Sequence, residues 1–81
     1  MAKKPVANLS KTANEAYIEA APYLTDSEWL REVLDTSLKR VETFDALVNL
    51  LEKERPRETD VNKQTDLKIY LAYLRKLRPK P

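Results

Sequence analysis

Residues 24–56, LTDSEWLREVLDTSLKRVETFDALVNLLEKERP, decide the architecture of this chain. Thr25 and Glu28 have the spacing of a capping box, in which a hydroxyl and a carboxylate each satisfy an amide at a helix start. Leu24 before the cap and Trp29 after it have the spacing of a hydrophobic staple. From there Leu30, Val33, Leu34, Leu38, Val41, Phe44, Leu47, Val48 and Leu51 stay in helical phase as far as Arg55-Pro56. Asp35 and Lys39, four apart with the acid first, add a surface pair worth about 0.2–0.5 kcal/mol. The pattern predicts a helix over 26–54, roughly 43 Å long at 1.5 Å per residue. Two soft points interrupt the reading. Thr43 can cap a new helix at Phe44, and the Thr36-Ser37 hydroxyls compete for backbone partners. Because the apolar stripe keeps its phase through both, one continuous or gently bent helix is the expectation.

Upstream, Ala13, Ala16, Tyr17, Ala20 and Leu24 trace one helical face over about 10–21, with Thr12 and Glu15 as a capping box. This stripe is rich in alanine, so it lets a neighbour approach closely but buries little area per residue. Downstream, residues 55–60 are turn-formers and charges. Asp60 or Thr59 can cap a last helix over 61–77, with Leu67, Tyr70, Leu71, Leu74 and Leu77 on its main face and Ile69 and Tyr73 on a second apolar edge. Lys63 and Gln64 make its first turns polar, which suggests fraying or a start nearer Thr65. Residues 1–9 read as a flexible N-terminal segment and 79–81 as a tail. The five prolines punctuate the chain where helices should stop. No β pattern and no internal repeat is present.

The expected fold is therefore all-α: a small three-helix bundle, or a four-helix one if the central segment breaks, forming one domain over 10–78. Its 81 residues suit one small domain. A continuous central helix would leave Leu38, Val41 and parts of the other stripes uncovered, most simply for a second copy of the chain. A break near 41–43 would instead let four short helices close into a monomer.

Composition narrows function more sharply than it narrows fold. The chain has no Gly, no His and no Cys. Without Gly there is no phosphate-cradling loop and no dinucleotide turn. Without His and Cys there is no zinc finger, iron–sulfur site, disulfide or His-based triad. Glu28, Glu32 and Asp35 share one helical edge, and Glu15 and Glu19 lie four apart on the preceding helix. A di-iron bundle site would need His beside such acids, so a solvated face, or a docking surface for a basic partner, is the expectation. No Ser, Tyr or Lys stands beside a base in a catalytic pattern. Neither an enzyme nor a cofactor or metal site is expected.

Net charge is only +2 but unevenly placed. Residues 12–35 carry six acids against Arg31, while residues 56–81 carry seven bases against three acids. The basic end, Arg75, Lys76, Arg78 and Lys80, with Lys68 and the N-terminal Lys3 and Lys4, has the chemistry to meet phosphates. Tyr70 and Tyr73 just upstream suit stacking on bases or packing on a partner. The total charge is small for a nonspecific DNA binder, and no helix-turn-helix turn is visible. Asp60 and Asp66 spoil a membrane-surface face, no run is long enough to span a bilayer, and no signal peptide is recognisable. A cytoplasmic location is the expectation.

Two functions compete. One is a small helical protein-protein interaction module, acting as adaptor, inhibitor or regulatory subunit and self-associating, with Trp29, Leu38, Val41, Tyr70 and Tyr73 as candidate partner-binding residues. Such bare short chains are common among regulators of phages and mobile elements, an analogy of size alone. The other is an accessory nucleic-acid-binding protein using Lys68, Arg75, Lys76, Arg78 and Lys80.

Overall fold

A computed structural model describes residues 5–78. Among the described residues there are four α-helices and no strand: α1 Pro5–Ala20, α2 Ser27–Leu38, α3 Phe44–Arg57 and α4 Val61–Lys76, with one 3-10 turn at Ala21–Tyr23 after α1. The all-α bundle takes its four-helix form. Helix α1 begins at Pro5, inside the expected flexible segment, so Thr12 is interior to it and not a cap. A proline opens a helix well because its missing amide would have no partner there.

The segment 26–54 is two helices. At the end of α2 the amides of Lys39 and Arg40 turn back to Thr36 O and Ser37 O, at 3.2 and 2.9 Å, which tightens the last turn. Thr43, in extended conformation, then caps α3, its hydroxyl accepting from the Ala46 amide at 3.1 Å. The stripe keeps its phase because both helices face the same core. As one rod they could not cover it. Broken, α2 and α3 both pack against α4, and Leu38, Val41 and Phe44 lie half-buried against the core.

Helix α2 starts differently from the capping box read in the sequence. Its cap is Asp26, whose side chain accepts from the Trp29 amide at 3.1 Å. Thr25 instead donates its amide and its hydroxyl to Asp66 Oδ1, at 2.9 and 2.8 Å. The Asp26 amide reaches Asp66 Oδ2 at 2.8 Å. Asp66, only 1% exposed, thus clamps the turn before α2 to α4 with three accepted hydrogen bonds. A buried polar group is tolerated only when satisfied in this way.

Pro56, expected to stop the long helix, lies inside the last turn of α3. Helix α4 starts at Val61 with no fraying, because Asp60 accepts from the Asn62 and Lys63 amides. No described residue has positive φ, so a chain without Gly ends its helices by tightened turns and never by a left-handed cap.

Helix α4 is the centre of the bundle. Leu67, Tyr70, Leu71 and Leu74 are all buried, and full burial of each such side chain stabilises the fold by about 1.5–3 kcal/mol. It packs chiefly against α1 and α3. The alanine face of α1 (Ala13, Ala16, Ala20) is fully buried, and the close approach lets the Tyr70 hydroxyl donate to Ala13 O at 2.9 Å. Helix α2 is held more lightly by all three neighbours. One tie is the Tyr17 hydroxyl, which donates to Ser27 O at 3.0 Å.

Candidate protein-binding surface

Helix α2, lightly held by its neighbours, is flanked by two grooves. Its inner line, Leu30, Leu34 and Ser37, is buried. On one flank, Trp29, Val33, Thr36 and Ser37 line an open groove of about 360 Å³, with Glu32 and Arg40 of α2 and Glu54 of α3 at its rim. On the other flank, Leu34 and Leu38 line a smaller groove of about 240 Å³ against Ala13 and Tyr17 of α1. Between the two grooves Glu28, Glu32 and Asp35 stand exposed in one line, at i, i+4 and i+7. Neither groove is an enclosed pocket.

The candidate partner residues divide. Trp29 and Leu38 lie on the two sides of α2, half-buried. The Trp29 ring carries the Lys63 ammonium 5.4 Å from its centroid. Val41, in the α2–α3 connection, is half-buried against the core. Tyr70 is not available to a partner: it is 0% exposed, and burial pushes its hydroxyl well above the usual tyrosine range. Tyr73 forms a separate patch, stacked on the exposed Tyr23 with centroids 6.0 Å apart. Desolvation by packing raises its hydroxyl first, and the neighbouring Tyr23 and Glu19 raise it further. Sequence reading took Val33 for core and overlooked Thr36 and Glu54 as groove residues. The signal for Val33 was its position four residues after Trp29; Glu54 comes from another helix and had none.

The basic residues are largely engaged within the molecule. Arg75 pairs with Glu52 of α3. Arg78 pairs with Asp45 at 2.6 Å, its guanidinium 5.0 Å from the Phe44 ring centroid. The Lys76 ammonium lies 4.8 Å from the Tyr73 centroid. Lys68 is exposed on α4, and Lys80 lies outside the described residues. Among the described residues no three of His, Cys, Asp or Glu converge as a metal site. Among the described residues no helix is long and apolar enough to cross a membrane.

Fold and surface together define a small all-α bundle with one lightly held helix set between two grooves. The chain belongs to the MJ1579 family, whose model matches residues 10–79. No curated protein and no solved structure matches it.

Proposed function

We propose that this chain is a small helical protein-protein interaction module that binds its partner through the outer face of α2, as adaptor, inhibitor or regulatory subunit. The supporting observation is that α2 is lightly held by its neighbours and has a groove lined by Trp29 and Val33 on one side and by Leu34 and Leu38 on the other. Large apolar and aromatic side chains in a shallow groove are what a partner's anchor residues fill. The test is a photoreactive residue at Thr36, and for comparison at the exposed Asn49 of α3, in the native host. A partner protein joined at position 36 but not at 49, and lost with Val33→Asp, is the expected result. Equal capture at both positions would remove α2 from the role.

The nucleic-acid alternative, through Lys68, Arg75, Lys76, Arg78 and Lys80, has less support. Arg75 and Arg78 already face Glu52 and Asp45, carboxylates that repel a phosphate backbone. Its test is binding to DNA or RNA at about 50 mM salt, where phosphate contacts are strong. The expectation is no binding there. Tight binding that collapses with salt and with Arg75→Ala plus Arg78→Ala would restore it.

A further inference from the structure

The contact between Tyr23 and Tyr73 brings two phenols together at the surface. Tyr23 ends the 3-10 turn after α1 and is 63% exposed. Tyr73 stands half-buried on α4. Their rings lie 10° from parallel with centroids 6.0 Å apart, within the roughly 4.5–7 Å of an aromatic contact. The Tyr23 hydroxyl is one of the groups that hold the proton on Tyr73, so the two phenol ends lie side by side. The Lys76 ammonium, 4.8 Å from the Tyr73 centroid, helps to fix that ring, and the exposed Tyr23 is the partner with room to move. The other two tyrosines are committed elsewhere. Tyr70 is enclosed, with its hydroxyl donated to Ala13 O. Tyr17 donates to Ser27 O and carries the Arg31 guanidinium over its ring. The chain has no Cys and a single Met, so the sulfur side chains that usually take up oxidising equivalents are nearly absent. Its oxidisable side chains are therefore mainly aromatic: this tyrosine pair and the half-buried Trp29.

We propose that Tyr23 and Tyr73 are a modification site, joined into an intramolecular dityrosine by hydrogen peroxide acting through a haem peroxidase. Each phenol gives up one electron and its hydroxyl proton, and the two phenoxyl radicals join through the ring carbons next to oxygen. The hydrogens on those two carbons then move to the oxygens, which restores both aromatic rings and both hydroxyls. The two electrons and two protons removed reduce one hydrogen peroxide to two waters. The chain's contribution is proximity: it holds the second phenol beside the first, so that coupling within the molecule outruns collision between molecules. The new bond ties the turn after α1 to the C-terminal half of α4, some fifty residues away in sequence. A tie across so long a loop removes conformations from the unfolded chain, so oxidation at this site strengthens the bundle. Neither tyrosine lines a groove of α2, and the proposal is independent of the reading of α2 as the partner-facing helix.

The experiment treats the full chain, at low micromolar concentration, with hydrogen peroxide and a haem peroxidase. The expected product is a monomer with the blue fluorescence of dityrosine, lighter than the parent by two hydrogen atoms. Mass spectrometry of its tryptic fragments should join the peptide of Tyr23 to that of Tyr73. Tyr23→Phe and Tyr73→Phe should each lose the cross-link while circular dichroism shows the fold retained, and Tyr17→Phe should keep it. The cross-linked chain should melt at a higher temperature than the parent. Four results would overturn the proposal: cross-linked dimers as the main product, with a yield that rises with protein concentration; a cross-link that persists in Tyr23→Phe; oxidation confined to Trp29; or a cross-linked product that has lost its helical signal. The last would mean that the bond forms only from an opened chain and not from the stacked pair.

Discussion

Two side chains decide more than their number suggests. Asp66 accepts from the Thr25 amide and hydroxyl and from the Asp26 amide some forty residues away, and its removal takes the protein acceptor from both amides. Asp66→Ala should therefore destabilise the fold by about 2–3 kcal/mol, since a lost acceptor also strands the donors it served. Asp26→Ala, which removes only a local helix cap, should cost about 1 kcal/mol. Urea unfolding of the two variants checks the ranking, and an equal cost would deny Asp66 its clamping role. Tyr70 is the second. Its hydroxyl is buried against Ala13 O and titrates above the usual tyrosine range. Tyr70→Phe keeps the ring and should cost about 1 kcal/mol near neutral pH. The sign at alkaline pH follows from linkage. With a folded value raised above the unfolded one, the fold's preference for neutral Tyr70 is fully present below about pH 10 and is lost as pH rises through the folded value. Melting temperatures above about pH 10 should fall more steeply in the parent than in Tyr70→Phe.

At the scale of elements, the interruption between α2 and α3 is the feature that shapes the surface. Its caps are local. Thr43→Ala should cost about 1 kcal/mol, the usual loss for an N-cap hydroxyl, and should loosen α3 at its first turn. The helices also differ in how firmly they are held. Helix α4 buries four large side chains between α1 and α3, while α2 is held lightly on each side. Hydrogen exchange should therefore show the slowest amides in α4 and faster local opening in α2, and equal protection of the two would contradict the packing. Leu71→Ala, at a position 1% exposed in α4, should cost about 2–5 kcal/mol as a core truncation. A binding helix that opens easily can adjust to a partner, so light packing and partner binding fit the same element.

For the whole molecule, the four helices close on one core with a radius of gyration of 12.2 Å. A compact chain of this length is expected near 12 Å. The case for a second copy came from a continuous rod with an uncovered stripe, and the break supplies that cover from within. The free protein should accordingly be a monomer in light scattering at micromolar concentrations; a stable dimer would show that α2 or another face is covered by self-association. The charge pattern also changes meaning at this scale. The basic end that looks free along the chain meets the acids of α3 through Arg75 and Arg78, whereas Glu28, Glu32 and Asp35 form no ion pair with another described residue and share their segment with the exposed Arg31, Lys39 and Arg40.

Helix existence, the core face of α4, the alanine face of α1 and the caps Thr43 and Asp60 were all legible in the sequence, because each depends on residues within a turn or two of one another. So was the absence of Gly, which forces every described helix to end without a left-handed residue. Three things were not. The break after Leu38 leaves the apolar phase intact, so only the covering of the stripe by other helices favours it. Asp66, which read as one more surface acid, has its donors some forty residues away in sequence. Tyr70, which read both as part of the main face of α4 and as a residue for stacking or for a partner, is enclosed because α1 comes close enough for its hydroxyl to reach a main-chain carbonyl. Local spacing determined which segments are helical; contact between distant segments decided which side chains are buried and which charges are paired, because burial and pairing belong to the assembled surfaces and not to any one of them.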